Sequence, residues 1–537
     1  MFDKSVPPPG ARPGPVLLVA CTAIFMLMLD TTVVAAALAD IRQDFTASLD
    51  GLQWVIDAYT LPLAGLLLTF ATLGDRLGRK KVFMSGMAVF AVASLALVFA
   101  PNALALNVLR AVQGVGAAML FATALPILSQ AYPDRRSRMR AIGVYSAVMG
   151  GATAAGPVVG GALVTGFGWR SIFLINVPIS IAVIIIASRS LRESTREHSR
   201  RSDLPGSALL TAGLVLGVLA ITRGQDWGQL STPVMAMSAA AVGLLAVFVW
   251  WQGRSRHPLF DPAILRKPGF VGTALVSFAF MATLMAAANY LALFLMGTLE
   301  HSPLQMGLRV LPLTVGALVA APIAARFLQR LPFSIVLPTG LAVVATGLLL
   351  LRNVAIDDDW THFLPGMIVG GLGIGAVTAA NQAASLTFAP PEDAGMSSAT
   401  FATMRQLGMA VGVAVLGVVF NRVGAQAARD GLLAEPFGAL LPEEAREQLT
   451  DAIGAGAGVQ VTDSLPERLR PLSSDIAQAA HSASVDGINA LLNVATASAI
   501  TALALSVLFF GIDEIRTRRA GRRAHAAERE DAPAVAA

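Results

Sequence analysis

The sequence is poor in the residues that build disulfides, metal sites and water-exposed surfaces. Among 537 residues there is one cysteine, Cys21, so the chain can form neither an intrachain disulfide nor a cysteine-based metal site. The six histidines are scattered, and the sequence has no nucleotide-binding loop and no set of nucleophile and base. These absences argue against a membrane enzyme. Charged residues make up 14% of the chain, against about 25% in soluble proteins.

Apolar residues take the place of the missing charge. They make up 55% of the chain, and the mean hydropathy is +0.66. They gather into runs of about 18 to 25 residues, each long enough to cross a hydrocarbon core of ~30 Å as a helix. We therefore predict an all-α integral membrane protein with about fourteen transmembrane helices. The predicted spans are 15–38, 52–73, 82–100, 104–130, 141–165, 172–189, 206–222, 233–252, 271–295, 305–325, 334–351, 362–385, 401–421 and 488–511.

Lysine and arginine concentrate in alternate connections between these spans. With a cytoplasmic N-terminus, the short outer loops keep only Arg42, Arg170, Arg223 and Arg352. The positive-inside rule then predicts a multi-pass protein of the cell membrane with both termini in the cytoplasm. Orientation in the membrane accounts for the net charge of +5, so we exclude nucleic acid as a partner. The first span lacks a small-residue cleavage pattern, and we expect it to be retained.

The spans group into six, two and six. Two six-helix bundles of this kind normally enclose a site near the middle of the bilayer. The outer segment 422–487 is either a solvated hairpin that caps the last two helices or a substrate gate or partner surface. The predicted units are a cytoplasmic N-terminus (1–14), an N-terminal six-helix bundle (15–190), a cytoplasmic linker (191–205), two inserted helices (206–252), a C-terminal six-helix bundle (271–511) and a cytoplasmic tail (512–537).

A glycine-punctuated loop follows the second span. Residues 73–81 read LGDRLGRKK, with the acid Asp75 among the bases Arg76 and Arg79 and with Gly78 at the turn. The loop resembles the signature between helices two and three of the major facilitator superfamily. The resemblance implies that Asp75 latches the two halves on the cytoplasmic side, with Arg76 and Arg79 as its partners. A merely positive inner loop is the alternative.

The fifth span is rich in small residues. It contains GPVVGG, in which Gly156, Pro157, Gly160 and Gly161 permit close helix packing and a hinge. This resembles the motif of the export branches of the superfamily, although a packing face is an alternative. The following GWRSIFLINVP, residues 168–178, is similar to the fourteen-helix drug:proton antiporters. The resemblance implies export, and later motifs extend it over 15–511.

A carboxylate lies near the middle of the first span. Asp30 stands in MLMLDTTVV, and a charge at this depth costs about 2.5–3.5 kcal/mol on insertion scales. Burial favours the protonated form of a carboxyl group, so Asp30 could bind and release a proton. The segment resembles the helix-one motif of these antiporters, which implies that Asp30 is the proton site. Arg110, in the fourth span beside Gln113, matches an arginine implied to assist proton transfer. Structural roles for Asp30 and Arg110 are the alternatives.

A second acid opens the second span. Asp57 lies between Trp54 and Tyr59, and negative charge beside aromatic faces can hold a hydrophobic cation. The frame resembles the branch that exports quaternary ammonium compounds. The alternative is an interfacial aromatic belt with a solvated Asp57. The remaining residues that we assign to the substrate site are Phe25, Met26 and Gln113.

The motifs together predict a proton-coupled antiporter that exports hydrophobic, cationic drugs or toxic compounds across the plasma membrane. Its partners would be the small-molecule substrate, protons and membrane lipid. It would act as a monomer, without metal or cofactor, driven by the proton motive force. The alternatives are an exporter of an endogenous antibiotic, siderophore or other non-cationic metabolite and, more weakly, a transporter-like membrane sensor.

Overall fold

A computed structural model of the chain describes residues 13–45, 49–193, 203–227, 231–255, 267–385, 387, 394–434, 443–453 and 470–531. Within these ranges the protein is helical and has no strand. The α-helices are α1 (Pro13–Val33), α2 (Leu38–Phe45), α3 (Leu49–Leu77), α4 (Arg79–Val98), α5 (Ala103–Ala131), α6 (Arg135–Phe167), α7 (Ser171–Leu174), α8 (Asn176–Ser190), α9 (Leu204–Trp227), α10 (Thr232–Gln252), α11 (Pro268–Phe280), α12 (Ala286–Gly297), α13 (Pro303–Phe327), α14 (Phe333–Leu350), α15 (Leu364–Ser385), α16 (Ala394–Ala434), α17 (Glu443–Ala452) and α18 (Ser473–Asp531).

The membrane spans lie where the apolar runs predict them. Twelve spans in the described ranges are long and apolar enough to cross a bilayer, and some of them, such as Ser171–Ser190 and Pro268–Gly297, join neighbouring elements. The other two predicted spans correspond to α6 and α9, which contain shorter apolar stretches at Val158–Phe167 and Pro205–Ala220. The fold prediction is confirmed: the chain forms two six-helix bundles with two inserted helices. The exact domain boundaries remain a prediction.

One expectation about the polar end of a helix is wrong. Arg223 does not lie in an outer loop, because α9 continues to Trp227 and buries this side chain to 1% exposure. Helices also extend into the segment 422–487, since α16 continues to Ala434 and α18 begins at Ser473. Hydropathy misses these ends because their helical turns are polar.

A small core of its own holds the described part of this outer segment together. α17 packs against the extensions of α16 and α18, as the prediction of a cap on these helices requires. The buried residues of this cap are Ala428, Leu432, Leu449, Ile453, Ile476, Ala480 and Ala483. The sequence LPERLRP, residues 465–471, also has the pattern of a short amphipathic helix, but it begins outside the described residues.

Small residues bring the two bundles into contact. α6 packs against α13, where a Cβ on Gly143 would press on Ala325 and one on Gly150 would touch Ala317. α3 and α5 pack against α16, so three helices of the N-terminal bundle contact the C-terminal bundle directly. Close backbone approach of this kind lets membrane helices pack without a hydrophobic driving force.

The inserted helices lie beside the bundles. α9 packs against α3 and α16, whereas α10 packs mainly against α9. α10 exposes large apolar side chains, among them Val242, Val249 and Trp250. An apolar exposed face on a helix of this length is suited to lipid.

Candidate proton and substrate site

The carboxylate of Asp30 is enclosed in the N-terminal bundle. The side chain sits in α1 with 1% of its surface exposed. Arg110 of α5 donates from Nη1 to Oδ2 at 2.7 Å. Two amides, Gln113 Nε2 at 3.1 Å and Asn176 Nδ2 at 2.9 Å, donate to Oδ1. Both carboxylate oxygens are therefore bonded, and the three partners come from two other helices, α5 and α8.

The Arg110 guanidinium is bonded on several sides. Its Nε donates to the Val55 carbonyl at 3.1 Å, and Nη1 also donates to Gln113 Oε1 at 2.6 Å. Its Cζ lies 4.2 Å from the centroid of the Tyr59 ring. A buried arginine is tolerated when it is paired and hydrogen-bonded, and removing one partner of such a pair costs about 3–5 kcal/mol. The pair thus links α1, α3 and α5.

Gln113 fixes the geometry between acid and base. It accepts from Arg110 and donates to Asp30, and its Nε2 also donates to Ser94 Oγ of α4 at 2.9 Å. Gln113 and Ser94 have no exposed surface. Sequence analysis assigns Gln113 to the substrate; the structure places it in the hydrogen-bond network of Asp30.

The hydrogen bonds of this network depend on the charge of Asp30. An ionised carboxylate only accepts hydrogen bonds, as its three contacts here require. Protonation would remove the charge that pairs with Arg110 and would turn one oxygen into a donor. Because the low dielectric strengthens every electrostatic contact inside the site, a single proton would change the bonding of the whole cluster.

The second acid, Asp57, lies inside α3 rather than at its end. It is 8% exposed, so the structure does not show the solvated interfacial carboxylate of the alternative interpretation. Both flanking aromatics face protein cations. The Arg223 guanidinium lies 4.7 Å from the Trp54 ring centroid, and the Tyr59 ring faces Arg110.

The two first-helix residues assigned to the substrate differ in exposure. Met26 is fully buried, and its Sδ accepts a hydrogen bond from Ser180 Oγ of α8 at 3.4 Å. Phe25 is half-buried. Met26 therefore packs within the N-terminal bundle, and the structure does not bring it together with Asp57.

The signature loop forms an ion pair of its own. Arg79 donates from Nε to Asp75 Oδ1 at 2.8 Å. Lys80 Nζ donates to the carbonyl of Leu191 at 2.7 Å, which ties the loop to the end of α8. Gly78 has a φ of 107°, a conformation that favours glycine, and a Cβ there would overlap the Glu193 carboxylate. Arg76 is exposed.

The export motif of α6 lies against the helix that carries Asp30. A Cβ on Gly156 would overlap the Thr32 side chain, whereas nothing lies within 4 Å of the position that a Cβ on Gly161 would take. Gly160 is buried, and Pro157 is inside the helix, although its side chain lies outside the described part. Gly156 is thus the motif residue that permits close contact with α1.

Sequence reasoning missed Asn176 and Ser94. Asn176 belongs to the INVP segment of the export resemblance, and a lone amide at the start of an apolar run is a usable signal. Ser94 carries no such signal in the sequence, because a serine inside a membrane helix usually forms a hydrogen bond with its own backbone.

The C-terminal bundle buries neutral polar groups in the corresponding interior. Ser277 of α11 and Asn381 of α15 bond each other, with Asn381 Nδ2 donating to Ser277 Oγ at 2.6 Å. Among the described residues no three His, Cys, Asp or Glu side chains gather in a way that could hold a metal ion. The charged acid–base pair is thus a feature of the N-terminal bundle.

Comparisons with known proteins agree with this arrangement. Residues 20–413 match the family model of the Major Facilitator Superfamily. The chain is 32% identical over 414 residues to the multidrug resistance protein Stp of Mycobacterium tuberculosis, covering 75% of each chain. It is 32% identical over 502 residues to the tetracenomycin C resistance and export protein of Streptomyces glaucescens, covering 92% of this chain and 91% of that protein.

A solved structure shares the fold. The human organic anion transporter MFSD10 (TETRAN) superposes with a TM-score of 0.61 at 13% sequence identity, covering 93% of this chain and 100% of that chain. At this identity the likeness concerns the fold alone. The family match and the identities to the relatives are stronger: the chain belongs to the major facilitator superfamily and is a membrane transporter rather than an enzyme.

Proposed function

We propose that this protein exports hydrophobic small molecules, antibiotics among them, in exchange for protons. The observation that carries the proposal is the buried pair of Asp30 and Arg110, whose carboxylate is bonded on both oxygens. A carboxylate at this depth is costly and is retained where it serves transport. Drug efflux pumps of the superfamily use the proton gradient and need no cofactor.

Protonation of Asp30 would change the contact between the two bundles through neighbouring helices. A neutral Asp30 would release Arg110, which holds the Val55 carbonyl and the Tyr59 ring of α3. α3 packs against α16 of the other bundle, so a shift of α3 changes the contact between bundles. On the same helix as Asp30, Thr32 contacts Gly156 of α6, which packs against α13.

Exchange then follows from competition between two ligands. Asp30 takes up a proton from outside, and its neutral form favours closure and reopening toward the cytoplasm. Substrate binding from the cytoplasm favours the state in which Asp30 is ionised, and the proton leaves. By linkage, the proton weakens substrate binding by the same factor by which substrate weakens proton binding. Residues Asp75 and Arg79 would latch the predicted cytoplasmic side during this cycle.

The names of the relatives support export of drug-like compounds. One is described as a multidrug resistance protein and the other as a resistance and export protein for tetracenomycin C. We extend this to the present chain as a proposal, together with a plasma-membrane location, cytoplasmic termini, protons and lipid as partners, and action as a monomer.

The proposal has two versions, which differ in the charge of the substrate. A cationic substrate would be held by Asp57, which is buried inside α3. A non-cationic substrate, such as an endogenous antibiotic, is favoured by the aromatic contacts: the faces of Trp54 and Tyr59 that a cation would use are each occupied by an arginine of the protein.

Gradient-driven transport into everted vesicles tests the proposal. Wild type should accumulate at least one member of a panel of ethidium, tetracenomycin C and puromycin when a proton gradient is imposed, and Asp30→Asn should accumulate none. Asp203→Asn is the matched control, because Asp203 is also buried but accepts from the neutral donors Trp251 Nε1 and Gln252 Nε2. This control should retain transport.

Two results would count against the proposal. Transport by Asp30→Asn at the wild-type level would remove Asp30 from coupling. Gradient-dependent transport of ethidium that survives Asp57→Asn unchanged would remove Asp57 from cation binding and would leave the export function standing.

A further inference from the structure

A second buried arginine lies at the contact between the bundles. Arg405 is inside α16 of the C-terminal bundle, well beyond its first residue Ala394, and is 6% exposed. Its Cζ lies 5.7 Å from the ring centroid of Phe121, which belongs to α5 of the N-terminal bundle. The side chain therefore reaches across the interface between the two bundles.

Arg405 differs from the other buried arginines in its partners. Arg110 pairs with Asp30 at 2.7 Å, and Arg79 pairs with Asp75 at 2.8 Å. For Arg405 the described part of the chain provides neither a hydrogen bond nor an ion pair. Its titratable neighbour is Tyr145 of α6, a phenol rather than a carboxylate. A buried guanidinium without an acid is costly, so an anion from outside the protein would stabilise it.

The groups around Arg405 have the chemistry of a binding site. Tyr145 is 1% exposed, and among the described residues its hydroxyl makes no hydrogen bond. Phe121 is half-buried and presents its ring to the guanidinium. A planar aromatic compound could lie against these rings and place an anionic oxygen on Arg405, whose fork of donors suits a carboxylate.

The backbone holds Arg405 in place. On the same helix, Gly408 and Gly412 lie directly against the backbone of Phe278 and Ala282, and a Cβ at either position would overlap it. α16 is therefore packed closely on the first span of its own bundle, while Arg405 faces α5 and α6. Because α5 and α6 belong to the N-terminal bundle and α16 belongs to the C-terminal bundle, a ligand held here would contact both moving parts of the transporter.

We propose that Arg405 binds the acidic oxygen of an aromatic substrate, a carboxylate or an ionised phenol, with Phe121 and Tyr145 against its ring. The inference rests on the proposed export function and names the substrate class for it. The site is separate from the proton site, because Asp30 is already bonded to Arg110, Gln113 and Asn176.

Binding of a matched pair of probes to the purified full chain tests this site. Anthraquinone-2-carboxylate and the neutral anthraquinone-2-carboxamide share their ring system and differ in charge. Wild type should bind the carboxylate, and Arg405→Gln should weaken that binding at least tenfold. Arg405→Lys should recover part of the affinity. The carboxamide should bind wild type and Arg405→Gln alike.

Arg309→Gln serves as the control variant. Arg309 belongs to α13 of the same bundle and also lies beside an aromatic ring, with its Cζ 5.6 Å from the Trp360 centroid. The Arg309→Gln variant should bind anthraquinone-2-carboxylate with the affinity of wild type. Unchanged carboxylate affinity in Arg405→Gln, an equal loss for the carboxamide, or no binding of the carboxylate to wild type would each overturn the assignment.

The result can be separated from the fate of the proposed function. If wild type transports neither the compounds of the vesicle panel nor anthraquinone-2-carboxylate, the export function fails. If it transports ethidium or tetracenomycin C in a gradient-dependent manner but does not bind the carboxylate, the function stands and the role of Arg405 fails.

Discussion

The two six-helix bundles bury polar groups in different ways. The N-terminal bundle contains an ionic pair, Asp30 and Arg110, in which the carboxylate is bonded by three side chains. The C-terminal bundle contains the neutral pair of Ser277 and Asn381, together with Arg405, which has no acid beside it among the described residues. One bundle thus holds the ionic pair to which we assign proton exchange as a proposal, and the other presents a charge to the interface. From this difference we propose that the N-terminal bundle couples protons and that the C-terminal bundle contributes Arg405 to substrate binding.

The largest expected effect comes from breaking the ionic pair. Arg110→Gln leaves Asp30 buried without a counter-charge, and we expect the protein to lose about 3–5 kcal/mol of stability. Thermal unfolding in detergent measures this loss. The double variant Asp30→Asn with Arg110→Gln should recover most of the stability, because both charges are gone, yet it should remain unable to use a proton gradient.

The double variant separates the structural and the functional interpretation of the pair. If it regains both stability and gradient-driven transport, the pair holds the fold together and does not couple protons. If the single variant Arg110→Gln unfolds at the wild-type temperature, the pair does not contribute as the geometry implies.

The next effect concerns the contact between α6 and α1. Gly156→Ala should cost about 1–3 kcal/mol, because its Cβ would overlap Thr32 and force the helices apart. Gly161→Ala in the same motif should be tolerated, since nothing lies within 4 Å of the position of its Cβ. Thermal unfolding and transport of the two variants can be compared side by side. If Gly156→Ala and Gly161→Ala have the same stability and the same transport activity, the close contact at Gly156 does not stabilise the packing of α6 on α1.

A smaller effect is expected in the C-terminal bundle. Asn381→Ala removes a hydrogen bond to Ser277, whose hydroxyl keeps its bond to the Thr273 carbonyl. The loss should be about 1 kcal/mol, the net value of one hydrogen bond. The ratio of protons to substrate transported should stay at the wild-type value. A changed ratio would mean that the C-terminal bundle also takes part in proton coupling.

The smallest effect is at the exposed end of the N-terminal bundle. Hydrogen bonds from Arg170 and Trp169 hold the pKa of Asp44 below its ordinary value. Asp44 therefore contributes stability above its ordinary pKa and loses that contribution as the pH falls through its lowered pKa. Asp44→Asn should be slightly less stable than wild type at neutral pH. The difference should vanish in strong acid, as thermal unfolding at several pH values would show.

The sequence predicts the buried charged residues of this protein better than its buried neutral polar residues. Asp30 and Arg110 stand out because charges are costly at the depth of hydrocarbon, and the structure brings them to 2.7 Å. Asn176 and Ser94 complete the same site but are neutral: the lone amide of Asn176 at the start of an apolar run is a weaker signal than a charge, and Ser94 carries none. The spans follow from hydropathy, since the bilayer requires a minimum apolar length.

Other features depend on tertiary contacts that no local pattern contains. Arg223 looks like a loop residue because it follows the last apolar turn of its span, yet α9 continues and stacks it on Trp54. The aromatic frame around Asp57 predicts open ring faces, and only the packed structure shows that arginines occupy them. The polar extensions of α16 and α18 form helices because they share a small core with α17.

The most direct test of the central claim measures protons released when substrate binds. Purified wild-type protein in weakly buffered detergent solution, with a pH indicator, should release protons on addition of whichever panel compound it transports. Asp30→Asn should bind the same compound and release none, while Asp57→Asn should release protons in proportion to the compound it binds. Proton release by Asp30→Asn equal to that of wild type would contradict the assignment of Asp30 as the coupling site.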